Sequence, residues 1–239
     1  MEQPQSALAA PEGARELFGT RWPLAAAYVR RLVGPGVERG LIGPRERDRV
    51  WERHVLNCAV LGELVPVGAR VGDVGSGAGL PGIVLAILRE DLHVDLIEPM
   101  QRRVTFLRES VAELGLSGCR VVRARAEQLA GQASYDVVTA RAVAPLDRLL
   151  AGTMPLLSPG GSLLALKGAT AEQELAALPR ELLAGGSARM VVLRSVTGEA
   201  TRVVVITAAD PASAVPAGPA SPGPASEREP STSAAARPR

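Results

Sequence analysis

Cysteine is nearly absent from this chain of 239 residues: only Cys58 and Cys119 occur, not at metal-ligand spacing, so neither a disulfide framework nor a cysteine-held metal is expected, and no metal site is assigned. Cys58 falls in an apolar helical pattern and Cys119 just ahead of a strand, and both read as reduced, small core residues. Aromatic residues make up 3%, which leaves few platforms on which bases could stack. No run approaches the roughly 18 uninterrupted apolar residues of a membrane span, and the opening Met-Glu-Gln-Pro lacks the regions of a secretory signal. A cytoplasmic protein with no membrane partner is expected. Lysine is almost missing too: 26 of the 27 basic residues are arginine, and Lys167 is the exception. Alongside abundant Ala, Gly and Pro, that bias fits a GC-rich genome. Net charge is only +2, so no uniform basic field exists to hold a polyanion, and any such binding must rest on local patches. Residues 1–72 hold ten arginines against eight acids, 73–208 balance at fourteen each, and the remainder at three each. The surplus lies at the start of the chain.

What is present is 46% apolar content, enough for one sizeable core with appendages at each end. Leu17, Leu24, Ala27, Tyr28 and Leu32 recur at helical intervals and predict a helix over residues 11–33, stopped by Gly34-Pro35-Gly36. Pro44 is placed to open a second helix, with Val50, Trp51, His54, Val55, Cys58, Leu61 and Leu64 facing inward. Residues 1–66 therefore read as a helical extension packed on the core. Strands follow at 70–75, 93–98, 120–124, 136–140 and 163–167, alternating with helices from Gly82, over 101–114 and over 172–183. Such alternation predicts a parallel sheet covered by helices on both faces. Two late strands, 190–196 and 202–208, are joined by Thr197-Gly198-Glu199-Ala200, which is too short for a crossover helix. They should form a hairpin, giving a mostly parallel seven-stranded sheet with an antiparallel last strand over 67–209. Residues 210–239 carry seven prolines and few large apolar side chains, cannot offset their ordering entropy, and read as a disordered tail without catalytic role.

Residues 71–82, Val-Gly-Asp-Val-Gly-Ser-Gly-Ala-Gly-Leu-Pro-Gly, run an apolar strand into a glycine turn and then a helix. Gly75, Gly77 and Gly79 leave the turn without Cβ atoms to keep a ligand away. With Asp73 at the strand end the pattern is Asp-x-Gly-x-Gly-x-Gly, the S-adenosylmethionine loop of class I methyltransferases, which have a Rossmann-like α/β fold. Gly77-x-Gly79-x-x-Gly82 also satisfies the dinucleotide fingerprint, which leaves a nicotinamide oxidoreductase as a rival. A pyrophosphate turn needs no carboxylate beside it, whereas a sulfonium and an α-amino group gain from Asp73. Glu98, closing the second strand, suits a ribose in either reading, or simply caps the next helix. The antiparallel last strand favours the methyltransferase.

Arg53-His54-Val55-Leu56-Asn57, the 73–82 loop, Arg103-Val104-Thr105-Phe106-Leu107, Arg125-Ala126-Glu127 and Arg141-Ala142-Val143-Ala144 together resemble the ribosomal RNA small subunit methyltransferase G family, also called glucose-inhibited division protein B. The likeness covers roughly residues 15–208. It implies transfer of a methyl group from S-adenosylmethionine to N7 of one guanine in the decoding-region loop of 16S rRNA, within a small-subunit particle, by a monomer. It also implies that Gly75 and Leu80 line the donor pocket, that Ala126 and Glu127 lie beside the adenine, that Glu98 takes the ribose side, and that Arg141 follows the fourth strand. Two departures stand out: many relatives have Asn-Leu-Thr at Gly40-Leu41-Ile42 and Asp-Ser at Asn57-Cys58.

Guanine N7 carries a free lone pair at neutral pH, so no general base is needed. The segment Thr139-Ala140-Arg141-Ala142 accordingly lacks the Asn/Asp-Pro-Pro-aromatic element used on exocyclic amines, and neither cysteine follows a proline as a C5 nucleophile would. Arg141 is the expected contact to the guanine, through O6 or a phosphate, or to the donor side of the pocket, unless it pairs with Asp136 or Asp147. Lys167, at a strand end, is the expected auxiliary contact to a phosphate. Arg45, Arg47, Arg49 and Arg53, with Arg102, Arg103, Arg123 and Arg125, are the candidate RNA contacts. Interleaving of the first three with Glu46 and Asp48 equally fits a solvated helix face. His54 reads first as an interior histidine. A small-molecule methyltransferase and a non-catalytic donor-binding partner of the ribosome remain as alternatives.

Overall fold

The computed structural model describes residues 9–141 and 144–213. The tail expected over 210–239 lies outside the described residues from 214 on, as do Ala142 and Val143. Seven strands form one sheet: β1 (Arg70–Val74), β2 (His93–Ile97), β3 (Cys119–Val122), β4 (Tyr135–Arg141), β5 (Leu157–Lys167), β6 (Ser187–Arg194) and β7 (Ala200–Thr207). Their spatial order is β3-β2-β1-β4-β5-β7-β6. The first five run parallel, and β7 enters antiparallel between β5 and β6. The expected hairpin is thus present. Chain order reverses between β1 and β4, and a crevice opens at the carboxyl ends of strands at such a switch point.

Helices α1 (Ala14–Phe18) and α2 (Trp22–Arg31) replace the single helix expected over 11–33, because Gly19 takes φ +49° and turns the chain. Beyond Arg31 the helix continues as a wide π turn over Leu32–Gly36, where Pro35 has no N–H to offer. The second helical rod changes pitch along its length, from a 3-10 turn (Pro44–Arg49) through a π segment (Trp51–Leu56) and α3 (Asn57–Ala59) to a 3-10 turn (Val60–Glu63). Trp22 and Trp51 stack at 5.2 Å between ring centroids and join the two rods. Both rods share one core with the sheet: Tyr28, Leu32, Val55 and Leu61 pack in the same cluster as Val71, Ile83, Leu96, Phe106 and Val137.

Among the covering helices, α4 (Gly82–Leu88) and α5 (Gln101–Leu114) stand where the periodicity placed them. The helix α6 (Leu146–Thr153) had no counterpart in the sequence reading, although Leu146, Leu149 and Leu150 are buried at helical spacing behind Pro145. The helix expected over 172–183 is split into α7 (Ala171–Ala176) and a 3-10 turn (Arg180–Leu183), because Pro179 disfavours helical backbone at the residue before it. A second apolar cluster, with Val138, Ala140, Leu150, Leu163 and Val204, fills the opposite face of the sheet.

Candidate active site

The turn after β1 is held from beneath. Gly75 and Gly77 take φ of +71° and +58°, where a side chain would be strained. The backbone N–H groups of Gly75 and Ser76 both donate to Ile97 O, at 2.9 and 3.2 Å, and Tyr28 Oη donates to Ala78 O at 2.8 Å. Asp73 is fully buried, and its carboxylate accepts from Thr139 Oγ1 at 2.9 Å and from the Gly82 N–H at 3.1 Å. These bonds tie β1 to β4 and to the first turn of α4. The expected direct contact of Asp73 with the donor is therefore not what its orientation provides: the carboxylate points into the strand–helix junction and is not on the cavity wall. Gly79 is absent from that wall as well. A Cβ there would come within 2.4 Å of Ile83 Cδ1, so its bareness serves packing.

Burial pushes the Asp73 carboxyl up to about 6 against the pull of its hydrogen bonds. A raised acid stabilises the fold most below its unfolded value, near 3.9, and this contribution is lost as pH rises through about 6. Asp73→Asn is accordingly expected to flatten the fall in thermal midpoint between roughly pH 4 and pH 6, as read by calorimetry at several pH values. An unchanged slope would contradict the assignment.

Above the turn lies a cavity of about 680 Å³, within the range of small-molecule sites. Gly75, Gly77 and Leu80 form one wall, and Ala126 and Glu127, on the turn after β3, form another. Leu41, Ile42 and Met100 supply an apolar side. Glu98 closes β2 and is almost fully buried. Its Oε2 accepts from Gly77 N–H at 3.1 Å, and its Oε1 from Met100 N–H at 2.9 Å. It is thus a wall residue that braces the turn and the entry to α5 without capping that helix, and its oxygens keep acceptor capacity for a hydroxyl such as a ribose. Arg103, expected on RNA, stands here instead, 3.5 Å from Glu98 Oε2, and Arg125 lines the same cavity.

Arg141, at the end of β4, reaches a second cavity of about 820 Å³ while lining the first. Its Nη1 donates to Cys58 Sγ at 3.3 Å and its Nη2 to His54 Nδ1. The alternative partner Asp136 accepts from Arg70 N–H instead. Among the described residues, no ion pair involves Arg141. Its neighbours are uncharged: burial pushes the Cys58 thiol up, and burial and the Arg141 charge push His54 down to about 4. The guanidinium is free to meet an oxygen ligand.

Arg49, Arg53 and Lys167 face the second cavity, together with Asn57, Glu174 and Thr201. Lys167 is not the free contact expected, since its Nζ donates to Ala144 O at 2.6 Å and to Glu174 Oε2 at 2.8 Å. It clamps β5 to α7 and holds the Glu174 carboxyl below its usual range. Asn57 Nδ2 donates to Thr201 Oγ1 at 2.7 Å, joining the helical rod to β7. Arg45, Arg102 and Arg123 are exposed and Arg47 is half-buried, and none of these four lines either cavity. His54, Cys58, Asn57 and Thr201 are members of the site that sequence reasoning did not assign. The departure at Asn57-Cys58 was the available signal. No cluster able to hold a metal ion occurs among the described residues.

A glycine turn at the switch point, a buried acid ending β2 and an antiparallel strand inserted beside β5 define a class I S-adenosylmethionine-dependent methyltransferase. The nicotinamide reading is thereby set aside. The model of the family described as rRNA small subunit methyltransferase G matches residues 22–202. A Nocardioides protein named ribosomal RNA small subunit methyltransferase G is 56% identical over 184 residues, covering 77% of this chain and 74% of that relative. One of the same name from Acidothermus cellulolyticus is 56% identical over 193 residues, with coverage of 80% and 86%. The chain belongs to the rRNA small subunit methyltransferase G family. Among solved structures, TrmN from Thermus thermophilus is similar at TM-score 0.51 and 25% identity, over 74% of this chain and 52% of that one.

Proposed function

We propose that this chain methylates N7 of a guanine in small-subunit ribosomal RNA, inside an assembling particle and as a single polypeptide. The cavity above the Gly75–Leu80 turn holds the donor, and the cavity beside it holds the target nucleotide. The observation that carries this reading is Arg141, which stands on the wall of both. Its relatives' names point to the rRNA. Bound S-adenosylmethionine would supply an electrophilic methyl group on a sulfonium sulfur. The protein's task is then positional. N7 needs no proton removed, and among the described residues Arg141 alone is common to the two cavity walls, with its neighbour His54 already accepting at Nδ1. Holding two reacting centres in line lowers a barrier by about 7 kcal/mol or more. Arg141 suits guanine O6 or the nucleotide's phosphate, and donation to N7 itself would block the reaction. Arg49 and Arg53 present further cations to the phosphate chain, which fits a nucleotide better than a small apolar acceptor.

Sodium borohydride and aniline cleave RNA at N7-methylguanine. Small-subunit rRNA from a strain without this gene should lose one cleavage stop, restored by the gene in trans; an unchanged pattern overturns the reading. Glu98→Ala is expected to weaken binding of S-adenosylhomocysteine by about tenfold or more by calorimetry, since a charged acceptor and the brace on Gly77 are lost together.

A further inference from the structure

His54 stands 87 residues from Arg141 in sequence, yet the two meet by a hydrogen bond at the wall between the cavities. A guanidinium has no acceptor, so His54 Nδ1 must be the acceptor and its proton must sit on Nε2. That tautomer leaves a buried Nε2–H that makes no hydrogen bond, with Glu46 Oε2 3.3 Å from the nitrogen. The imidazole itself is buried in the helical rod. Three charged groups bear on it: Arg141 from β4, Glu46 from the Pro44–Arg49 turn, and Arg53 from its own segment. Burial first, and then the two cations among these groups, disfavour an imidazolium. Arg141's other donor meets Cys58, one turn further along the same rod.

From this geometry, and resting on the proposed function above, we propose that His54 is a positioning residue: as a neutral acceptor it fixes the Arg141 guanidinium between donor and target nucleotide. An arginine side chain free to rotate would lose that aim through rotamer freedom, and removing the Nδ1 acceptor releases it. Cys58 alone cannot replace the bond, because a thiol is a weak acceptor. Protonation of His54 would convert the bond into a repulsion and expel the guanidinium from its place. The N-terminal rod thereby takes part in the site, through a residue that acts by way of Arg141.

Only His54 and His93 occur in the chain, so long-range 15N–1H spectra of the ligand-free protein resolve them directly. At pH 7 His54 is expected as the neutral Nε2–H tautomer, titrating near 4, with the midpoint moving upward in Arg141→Ala. An Nδ1–H tautomer, or a midpoint indifferent to Arg141, would overturn the proposal. In turnover assays His54→Leu is expected to lose ten- to a hundredfold in kcat with donor affinity retained. His54→Asn, whose Oδ1 takes the place of Nδ1, should recover most of that loss. Adding His54→Leu to Arg141→Ala should cause no further loss. Equal rates for the Leu and Asn variants, or multiplying losses in the double variant, would show that His54 does not act through Arg141. Wild-type protein inactive on rRNA would instead overturn the functional reading while leaving the tautomer result standing.

Discussion

Arg141→Ala is expected to lower turnover on small-subunit rRNA by about 10²- to 10³-fold, the range seen when a single donor aimed at the reacting centre is removed. The fold should survive. Arg141 makes two side-chain hydrogen bonds and no ion pair among the described residues, and it sits at a strand end rather than inside the sheet. Its loss leaves His54 Nδ1 without a partner beside a cavity that water can enter, at a cost of about 1 kcal/mol. Binding of S-adenosylhomocysteine and the thermal midpoint should therefore stay near wild type while methyl transfer collapses. Near-normal rates would move the site away from the shared wall.

Gly82→Val is expected to act in the opposite way, on stability and donor binding together. A Cβ at this position would come within 2.4 Å of Leu96 Cδ2 and 2.7 Å of Asp73 Oδ2, and neither neighbour is the loose end of an exposed chain. Overpacking of this kind costs about 3 kcal/mol, or roughly 6–12 °C in thermal midpoint for a chain of this size. The Gly82 N–H also completes the Asp73 bracket that sets the angle between β1 and α4. Displacing it should tilt the turn and abolish detectable donor binding. A variant with the wild-type midpoint and affinity would show that the bracket is not needed.

Most of the scaffold was readable because the relevant signals are local. Apolar runs of strand length fall within a few residues of all seven strands, and the shortness of Thr197-Gly198-Glu199-Ala200 required the antiparallel hairpin. The helices were readable as amphipathic stretches, but not their breaks at Gly19 and Pro179, because a continuous periodic pattern conceals local turns. Helix α6 was missed although Leu146, Leu149 and Leu150 carry its spacing, being only eight residues long.

The wall of the first cavity was legible for the same reason: Gly75, Gly77, Glu98 and Ala126 lie on segments that follow strands. The direction of Asp73 was not. Spacing places a carboxylate at the end of β1 but does not say whether it faces ligand or neighbour; Thr139 on β4, paired opposite it in the sheet, supplies the partner. Lys167 was singled out correctly as unusual and yet is engaged by Glu174 seven residues on, a contact that depends on the path of α7. Arg141 with His54 and Asn57 with Thr201 join residues 87 and 144 positions apart, which no local pattern encodes.

A crystal structure of the protein with S-adenosylhomocysteine is the direct test of where the donor sits. Density is predicted between the 75–80 turn and Ala126, with a ribose hydroxyl bonded to Glu98 and the sulfur facing Arg141. Density at another place, or an empty crevice at saturating ligand, would contradict it.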